Sequence, residues 1–172
     1  MKLSTRARYA LRMMLDVAKY GVNGEPVSLT AVAERTDISR AYLEQVALGL
    51  RAARLLRGVS GRRGGYRLTA PPSEVTVGQV LEASIGPICV VDCLEEADLC
   101  PRSEYCECRL VYGLINDRIA DVLQSYTLAD LLDPSWVRAL GKNGALPTTA
   151  EGRLDGFGCN PTPRSENKDD PH

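Results

Sequence analysis

Apolar residues recur at helical spacing in two long segments of the chain, residues 3–20 and residues 108–126. In the first segment the apolar positions share one side and arginines occupy the other, which predicts an amphipathic helix. The apolar positions of that segment are Leu3, Ala7, Ala10, Leu11, Met14, Leu15 and Ala18. Gly21, Gly24 and Pro26 follow directly, and they predict that the helix ends there.

Two shorter helices are predicted after this first one. Ser28 or Thr30 can cap a helix that contains three apolar residues within its first turns. Residues 36–38 predict a tight turn, and Ser39 can cap a third helix that continues through Leu50. A short helix, a turn of three or four residues and a second helix form the helix-turn-helix pattern.

A β-hairpin is predicted directly after the third helix. Residues 55–60 and 66–68 are two short alternating runs on either side of a glycine-rich turn that contains Arg62 and Arg63. A hairpin in this position is a wing, whose arginines can reach phosphates or a narrow minor groove. The pattern predicts a mainly α-helical fold with a small β-hairpin wing, consisting of a winged helix-turn-helix domain and a long dimerisation helix.

The second half of the chain contains the other long apolar stripe. A short helix is predicted over residues 76–85, and Thr127 can cap a final short turn. The stripe of residues 108–126 is broad, and little chain remains to cover it, so we predict that it packs against a partner subunit. The alternative is packing on its own domain. The predicted divisions are a DNA-binding domain at 1–72, a linker helix with a cysteine-rich loop at 73–108, the dimerisation helix and terminal turn at 109–133, and a disordered tail at 134–172.

Charge is distributed unevenly along the chain, although the net charge is only -1. Residues 1–70 contain 13 Lys and Arg against 5 Asp and Glu, a net charge of +8, and the remainder is acidic. A basic half is typical of a domain that binds a polyanion such as DNA. Arg40, Arg51 and Arg54 are predicted to contact phosphates, which would fix the register and add salt dependence rather than base specificity.

Cysteines are concentrated in the acidic middle of the chain. Cys93, Cys100 and Cys106 are separated by short stretches, Cys108 lies close by, and the one histidine is His172. Thiolates at such spacing predict an iron–sulfur or other soft-metal site. Zinc suits four thiolates but usually has close Cys-x-x-Cys pairs, and a metal-free thiol switch is the third possibility.

Targeting segments and catalytic groups are not evident. The N-terminus has no apolar leader region, and no run of residues approaches the length of a membrane span, so a cytoplasmic protein is expected. No histidine outside the tail is available as a general base, and no glycine loop for phosphates leads into a helix. The sequence therefore does not predict an enzyme.

Several motifs together resemble the IscR/NsrR/CymR family of winged-helix transcription regulators over roughly residues 1–133. The motifs are Leu3-Ser4-Thr5 leading into Tyr9-Ala10-Leu11-Arg12, Ser39-Arg40-Ala41-Tyr42-Leu43-Glu44-Gln45, Gly61-Arg62-Arg63-Gly64-Gly65-Tyr66, the cysteine set, and Thr127-Leu128-Ala129-Asp130-Leu131. The resemblance implies a homodimer that binds double-stranded DNA at a palindromic operator, and we expect a repressor. In cluster-bearing members, three linker cysteines hold an iron–sulfur cluster that tunes DNA affinity.

The resemblance also implies roles for individual residues. Ser39, Tyr42, Glu44 and Gln45 match positions that contact DNA or select its sequence in IscR-like proteins. We predict a DNA interface formed by Ser28, Thr30, Ser39, Arg40, Tyr42, Glu44, Gln45, Arg51, Arg62 and Arg63. Many members have an arginine just before the first wing glycine, where this chain has Ser60, and we hypothesise that Arg62 and Arg63 take over its role.

The fourth cluster ligand is not given by the resemblance. Relatives use a histidine at the position of Arg109, or a carboxylate from the partner at the position of Arg8. Cys108 is the local candidate, followed by Cys89, Glu104 and Glu107, and the cluster type, 2Fe–2S or 4Fe–4S, is undetermined. The predicted function is DNA-binding regulation controlled by cluster, redox or nitric oxide status. The alternative is a cluster-free regulator that responds to thiol oxidation or to a protein partner.

Overall fold

The structure is a computed structural model that describes residues 3–102 and 105–142. The chain divides into two compact units, Met1–Asp133 and Pro134–His172, and each is described by itself. The helices of the first unit are α1 (Thr5–Tyr20), α2 (Leu29–Thr36), α3 (Arg40–Ala52), α4 (Val77–Ile85), α5 (Asp92–Glu95), α6 (Glu107–Ser125) and α7 (Leu128–Leu132). Its strands are β1 (Leu56–Val59) and β2 (Gly65–Leu68).

The first three helices each begin at a serine whose hydroxyl oxygen accepts a backbone hydrogen bond. The bonds run from Ala7 N to Ser4 Oγ at 3.1 Å, from Ala31 N to Ser28 Oγ at 3.2 Å and from Tyr42 N to Ser39 Oγ at 3.3 Å. Asp37, with φ 55°, forms the left-handed turn between α2 and α3. The predicted helix-turn-helix is therefore confirmed, with Ser28 rather than Thr30 as the cap of α2.

The wing is an antiparallel hairpin with a short third strand segment beside it. Strands β1 and β2 pair with Leu56 opposite Leu68 and Val59 opposite Gly65. On the outer side of β2, Val27 and Tyr66 exchange two backbone hydrogen bonds of 2.8 Å. The chain that leads into α2 is thereby tied to the wing, so the two elements have a fixed separation.

Helices α4 and α7 begin side by side. Thr76 and Thr127 form an isolated β-bridge, and each is the N-cap of its helix in a capping box, with Gln79 and Asp130 as the reciprocal partners. The fold class predicted from the sequence, mainly helical with a two-stranded wing, is confirmed.

The core lies between α1, α2, α3 and α4, with one side closed by the wing. Its largest fully buried side chains are Met13, Met14, Leu43, Leu50, Leu81, Leu128, Val17, Val32, Val46, Val75 and Val80. Helix α3 comes very close to α4, because a Cβ built on Gly49 would lie 2.5 Å from the backbone oxygen of Ala83. No side chain separates these two helix backbones at this point, so the position of α4 follows that of α3.

Two regions differ from expectation or extend it. The cysteine-rich segment, predicted without regular structure, contains the one-turn helix α5 and a 3₁₀ turn at Ala97–Leu99. In the second unit, the tail expected to be disordered from residue 134 begins with helix α8 (Pro134–Lys142). Pro134 is the first residue of α8, and the φ of proline is already close to the helical value. The prediction of disorder considered only the average composition of the tail and did not take this signal into account. The remainder of the predicted tail, residues 143–172, lies outside the described residues.

Among the helices that the structure describes, none combines the length and the apolar character required to cross a membrane.

Candidate nucleic-acid interface and cysteine segment

Helix α2, helix α3 and the wing meet around an open groove of about 500 Å³, which we call the wing groove. The predicted interface residues that line it are Ser28, Thr30, Arg40, Glu44 and Arg51. The wing contributes the backbone of Gly58–Gly61 and Gly64–Tyr66 to the opposite wall. The structure thus brings residues from three separate sequence segments into one surface, with backbone N–H groups, hydroxyls and guanidinium groups all accessible.

The exposed face of α3 is mainly polar, and Leu48 is its one large apolar side chain. Arg40 Nε donates to Glu44 Oε1 at 3.1 Å, an exposed ion pair one helical turn apart, and Gln45 lies exposed beside it. Leu48 follows one turn later and is 55% exposed. The sequence motifs did not point to Leu48, although its spacing from Glu44 is the signal that it shares this face. An uncovered leucine on such a face can contact the methyl group of thymine.

Tyr42 has a packing role in this structure. Its ring is half-buried and meets the ring of Tyr9 edge to face, with centroids 5.4 Å apart and planes at 83°. The guanidinium of Arg12 lies 5.9 Å from the Tyr9 centroid on the same helix. This contact fixes the first turn of α3 against α1, so Tyr42 positions the α3 residues beside it.

Arg62 and Arg63 occupy the tip of the wing. Gly64 N donates to Gly61 O at 2.9 Å, so the two arginines are the central residues of a tight turn and both are exposed. Gly61 has φ 116°, a conformation that favours glycine. A Cβ on Gly64 would lie 2.5 Å from Val59 O. The glycines therefore define the turn that projects both guanidinium groups away from the domain.

Gly65 joins the wing to α2. A Cβ on this residue would lie 2.2 Å from Val27 O, so no other residue fits beside the paired chain without a backbone shift. Because Ser28 follows Val27 directly, this contact sets the distance between the start of α2 and the wing. The width of the wing groove depends on it.

A buried ion pair between α1 and α2 supports the helix-turn-helix, and the sequence pattern did not predict it. Arg35 donates to both oxygens of Asp16, through Nε at 2.8 Å and Nη2 at 2.6 Å, and Asp16 is only 8% exposed. The guanidinium also stacks 4.0 Å from the Tyr20 ring centroid. The hydrogen bonds to Asp16 raise the pKa of Arg35 above its ordinary value, so the guanidinium stays charged.

The cysteines lie along the segment that joins α4 to α6. Cys93, Cys100 and Cys106 are half-buried free thiols, Cys108 is exposed on α6, and the Cys89 thiol donates to Val91 O at 3.3 Å. One hydrogen bond joins this segment to α6: the backbone N–H of Val90 donates to Asn116 Oδ1 at 3.2 Å.

These thiols are suitable donors, but they are not assembled into a metal centre. Over the part of the chain that the structure describes, no group of three or more His, Cys, Asp or Glu side chains is placed to hold a metal ion. Glu104, one of the predicted alternative ligands, and Cys159 lie outside that part. The donor set fits an iron–sulfur cluster in chemistry and number of thiols, while its side-chain arrangement would have to change to bind one.

Helix α6 has an uncovered apolar face. None of its residues is buried, and its apolar side chains line an open groove of about 510 Å³ together with Arg118. The exposed members are Leu110 at 74%, Val111 at 55%, Leu114 at 67%, Ile115 at 42% and Val122 at 53%. These five side chains stay exposed in the described chain, whereas Leu123 further along α6 packs against the buried cluster of Ala7, Val77 and Leu81. An exposed apolar patch of this kind marks an interaction surface.

A helix-turn-helix with an exposed helix face, a basic wing and a groove between them defines the class of winged helix-turn-helix proteins. Comparison with known proteins identifies the family within that class. The family model "Rrf2: Iron-dependent Transcriptional regulator" matches residues 3–134, and this chain belongs to the Rrf2 family. Its general function is accordingly DNA-binding transcriptional regulation rather than catalysis.

Individual relatives lie in more than one branch of the family. Protein rrf2 of Nitratidesulfovibrio vulgaris is 39% identical over 132 residues, covering 77% of this chain and 87% of the relative. The solved structure of CymR, the global cysteine regulator of B. subtilis, matches with a TM-score of 0.63 at 35% identity, covering 76% of this chain and 95% of that one. The solved structure of T. potens IscR matches with a TM-score of 0.62 at 32% identity, covering 77% and 86%.

Proposed function

We propose that this protein is a homodimeric regulator that binds a palindromic operator through α3 and the wing, under the control of its cysteine segment. The observation that carries the DNA-binding part is the wing groove, which brings Ser28, Thr30, Arg40 and Arg51 onto one surface beside the wing. A major groove about 12 Å wide admits one helix, and α3 presents an exposed face of suitable chemistry.

The proposed roles follow from the chemistry of each side chain. Glu44 and Gln45 on the exposed face of α3 would meet base edges, since an amide can pair with adenine and a carboxylate accepts from cytosine. Ser28, Thr30 and Ser39 lie at helix N-termini, where hydroxyls and free N–H groups can bind phosphate. Arg62 and Arg63 at the wing tip would enter the minor groove or bind its phosphates.

The homodimer is proposed on the uncovered apolar face of α6. Two copies of this face, packed against each other, would remove its leucines and valines from water, which favours association by about 25 cal/mol for each Å² of apolar surface. A two-fold pair places two α3 helices for two half-sites about one helical turn apart. This arrangement is the reason for expecting a palindromic operator.

The cysteine segment is proposed as the sensing element, with Cys93, Cys100 and Cys106 as the residues that would hold an iron–sulfur cluster. Their donor chemistry supports this, and relatives named IscR occur among the matches. When bound, such a cluster supplies a centre sensitive to oxidants and to nitric oxide. Cys108 is the proposed fourth ligand, because the positions used by relatives are occupied here by Arg8 and Arg109.

A short structural route joins the cysteine segment to the DNA-binding surface. The segment begins at Gly86, directly after α4, and α4 lies against α3 with no side chain between Gly49 and Ala83. A change in the cysteine segment is therefore proposed to act on the relative position of the two α3 helices in the dimer. The equilibrium between two dimer geometries would then depend on the state of the thiols.

The second candidate keeps the DNA-binding function and replaces the cluster by thiol oxidation or by a protein partner. The observation in its favour is that the described thiols are not assembled around a metal position. CymR of Bacillus subtilis, described as a global cysteine regulator, is a relative 37% identical over 131 residues. The cluster and thiol oxidation both depend on cysteine thiols, whereas control by a protein partner does not require them. Only the cluster predicts iron and sulfide.

Two experiments separate these proposals. Operator sequences selected from a random library are used to measure affinity by fluorescence anisotropy, with Arg63→Ala as the test variant and Lys19→Ala as the charge-matched control. Unchanged affinity of Arg63→Ala would remove the wing tip from the interface.

The second experiment tests the cluster. Anaerobically purified protein is analysed for iron, sulfide and visible absorption, beside a triple Cys→Ala variant. Colourless, iron-free protein would exclude the cluster and leave DNA binding intact.

A further inference from the structure

A second open depression of about 720 Å³ lies next to the wing groove and shares Arg51 and Gly58 with it. Its charged lining residues are Arg51, Arg54 and Arg57, and its apolar lining includes Leu48 and Ala52. Among the described residues, no Asp or Glu lines it. We call this surface the arginine pocket. Arg51 and Arg54 were expected from the sequence to contact phosphates one by one, but their grouping with Arg57 in one depression was not predicted.

The charges of the arginine pocket are not neutralised within the described chain. The ion pairs found among the described residues involve other arginines, and Arg51, Arg54 and Arg57 are all exposed. In the hairpin, Arg57 stands directly opposite Arg67. Like charges directly opposite on an antiparallel pair are destabilising, so the hairpin retains a repulsion that an anion would relieve.

Arg54 occupies a backbone position at which glycine is the usual residue. Leu55 N donates to Leu50 O and Arg54 N donates to Arg51 O, both at 2.9 Å, which is the hydrogen-bond pattern of a Schellman motif at the end of α3. Arg54 is the left-handed residue of that motif, with φ 58°. A residue with a side chain is strained in this conformation, whereas glycine is not.

The position of Arg54 is also held from the other side. The hydroxyl of Thr69, which lines the same pocket, donates to the backbone oxygen of Arg54. Thr69 N donates to Leu55 O at 3.2 Å, so Thr69, directly after β2, is bonded to two successive backbone oxygens at the end of α3. The backbone beneath the pocket is therefore fixed, and the guanidinium groups above it are presented from a rigid base.

We propose that the arginine pocket binds backbone phosphates of DNA that flank the bases contacted by α3. This inference rests on the proposed DNA-binding function and extends the contact surface beyond the wing groove. Arg51 belongs to both surfaces, so a duplex that lies against the exposed face of α3 passes from one to the other. The pocket is open, and its described lining carries no negative charge, which suits a passing phosphodiester chain.

The decisive variant is Arg54→Gly, because it removes a guanidinium while relaxing the backbone. We expect its melting temperature to be equal to or higher than that of the wild type, and its affinity for DNA to fall. The loss should be about 3- to 10-fold at moderate salt and similar for operator and unrelated duplex, since phosphates carry no sequence information. The slope of log K against log salt should flatten by about 0.9 for each phosphate that is no longer neutralised. The double variant Arg54→Gly/Arg57→Ala should flatten it by about twice that amount.

Duplex length provides the second test. A selected operator with extended flanks should bind the wild type more tightly than the same operator trimmed to its half-sites, and the double variant should not distinguish the two. Lys19→Ala, which removes one exposed charge from α1, is the control. A loss in Lys19→Ala equal to that in Arg54→Gly would overturn the inference, because it would indicate a general charge effect.

The remaining outcomes also decide the matter. If orthophosphate stabilises the wild type and not the double variant, while flank-dependent DNA affinity is unchanged, the pocket binds a free anion and the DNA assignment is wrong. If the wild type binds operator and the double variant has the same salt slope, phosphate binding by the arginine pocket is refuted, while the proposed DNA-binding function stands. If the wild type binds no duplex at all, the proposed function fails, and this inference fails with it.

Discussion

Replacing Asp16 by asparagine tests whether the ion pair between α1 and α2 holds the helix-turn-helix together. Asp16 is 8% exposed and accepts two hydrogen bonds, at 2.6 and 2.8 Å, from one guanidinium. The asparagine side chain would keep the shape but lose the charge and one acceptor. Charge-assisted hydrogen bonds contribute about 1.5–3 kcal/mol each, but the Arg35 side chain is 31% exposed and can partly rehydrate.

Two such bonds would contribute about 3–6 kcal/mol, and rehydration of Arg35 together with the acceptor that asparagine keeps reduces the expected loss of unfolding free energy to about 2–3 kcal/mol. At roughly 4 °C for each kcal/mol in a unit of this size, the melting temperature should fall by about 8–12 °C. Urea denaturation followed by circular dichroism gives the free energy, and calorimetry gives the melting temperature. Both should report the same change if unfolding is two-state.

The matched control is Asp121→Asn on α6. This carboxylate lies 3.9 Å from Arg118, and both side chains are more than two-thirds exposed, so the expected loss is below about 0.5 kcal/mol. A double-mutant cycle with Arg35→Met isolates the pair from its surroundings. A coupling energy near zero, or equal losses for Asp16→Asn and the control, would refute the reasoning.

Three further predictions concern the wing, the dimer face and α7. Gly65→Ala should lower the free energy of unfolding, measured by urea denaturation, by about 1–3 kcal/mol, because its Cβ would overlap a backbone oxygen 2.2 Å away. Gly58→Ala is the control, since its Cβ would lie 4.0 Å from the Tyr66 ring without overlap. Leu114→Asp should raise the dimer dissociation constant about thirtyfold or more by light scattering, and an unchanged molar mass would refute the α6 interface. The backbone N–H and hydroxyl of Thr127 lower the pKa of Asp130, so its stabilising contribution is present above the ordinary aspartate pKa of about 4 and is lost as pH falls through the lowered value. Asp130→Asn should therefore have a weaker acid dependence of stability in that range, and parallel pH profiles would contradict it.

Local chemistry made most of the fold predictable. Serine and threonine hydroxyls before apolar periodic stretches identified the starts of α2, α3 and α7, because a cap and the residue whose N–H it accepts are only three apart. The glycine-rich turn between two short apolar runs identified the wing for the same reason. The groove itself followed from the order of these elements, and five of the predicted interface residues line it.

Features that depend on distant parts of the chain were not predictable. Asp16 and Arg35 are 19 residues apart, and nothing in periodicity joins them. Arg54 looked like one more basic residue, since its left-handed conformation becomes visible only in the backbone. The spacing of Cys93, Cys100 and Cys106 indicates a donor chemistry but not the side-chain arrangement, which depends on how the joining segment packs on α6.

The close approach of Gly49 to Ala83 has a consequence for protein engineering. Because α3 and α4 touch through backbone alone at this point, any graft that ends between them would replace one half of a fitted surface and leave the other half unmatched. A junction at Gly86, whose φ of 84° ends α4, leaves this contact whole. A second junction is needed before α7, because Leu128 is fully buried in the core and its backbone N–H donates to Val75 O at 2.9 Å. Under the proposed function, a transplant limited to the part of the chain between these junctions would exchange what the protein responds to and keep the DNA-binding surface.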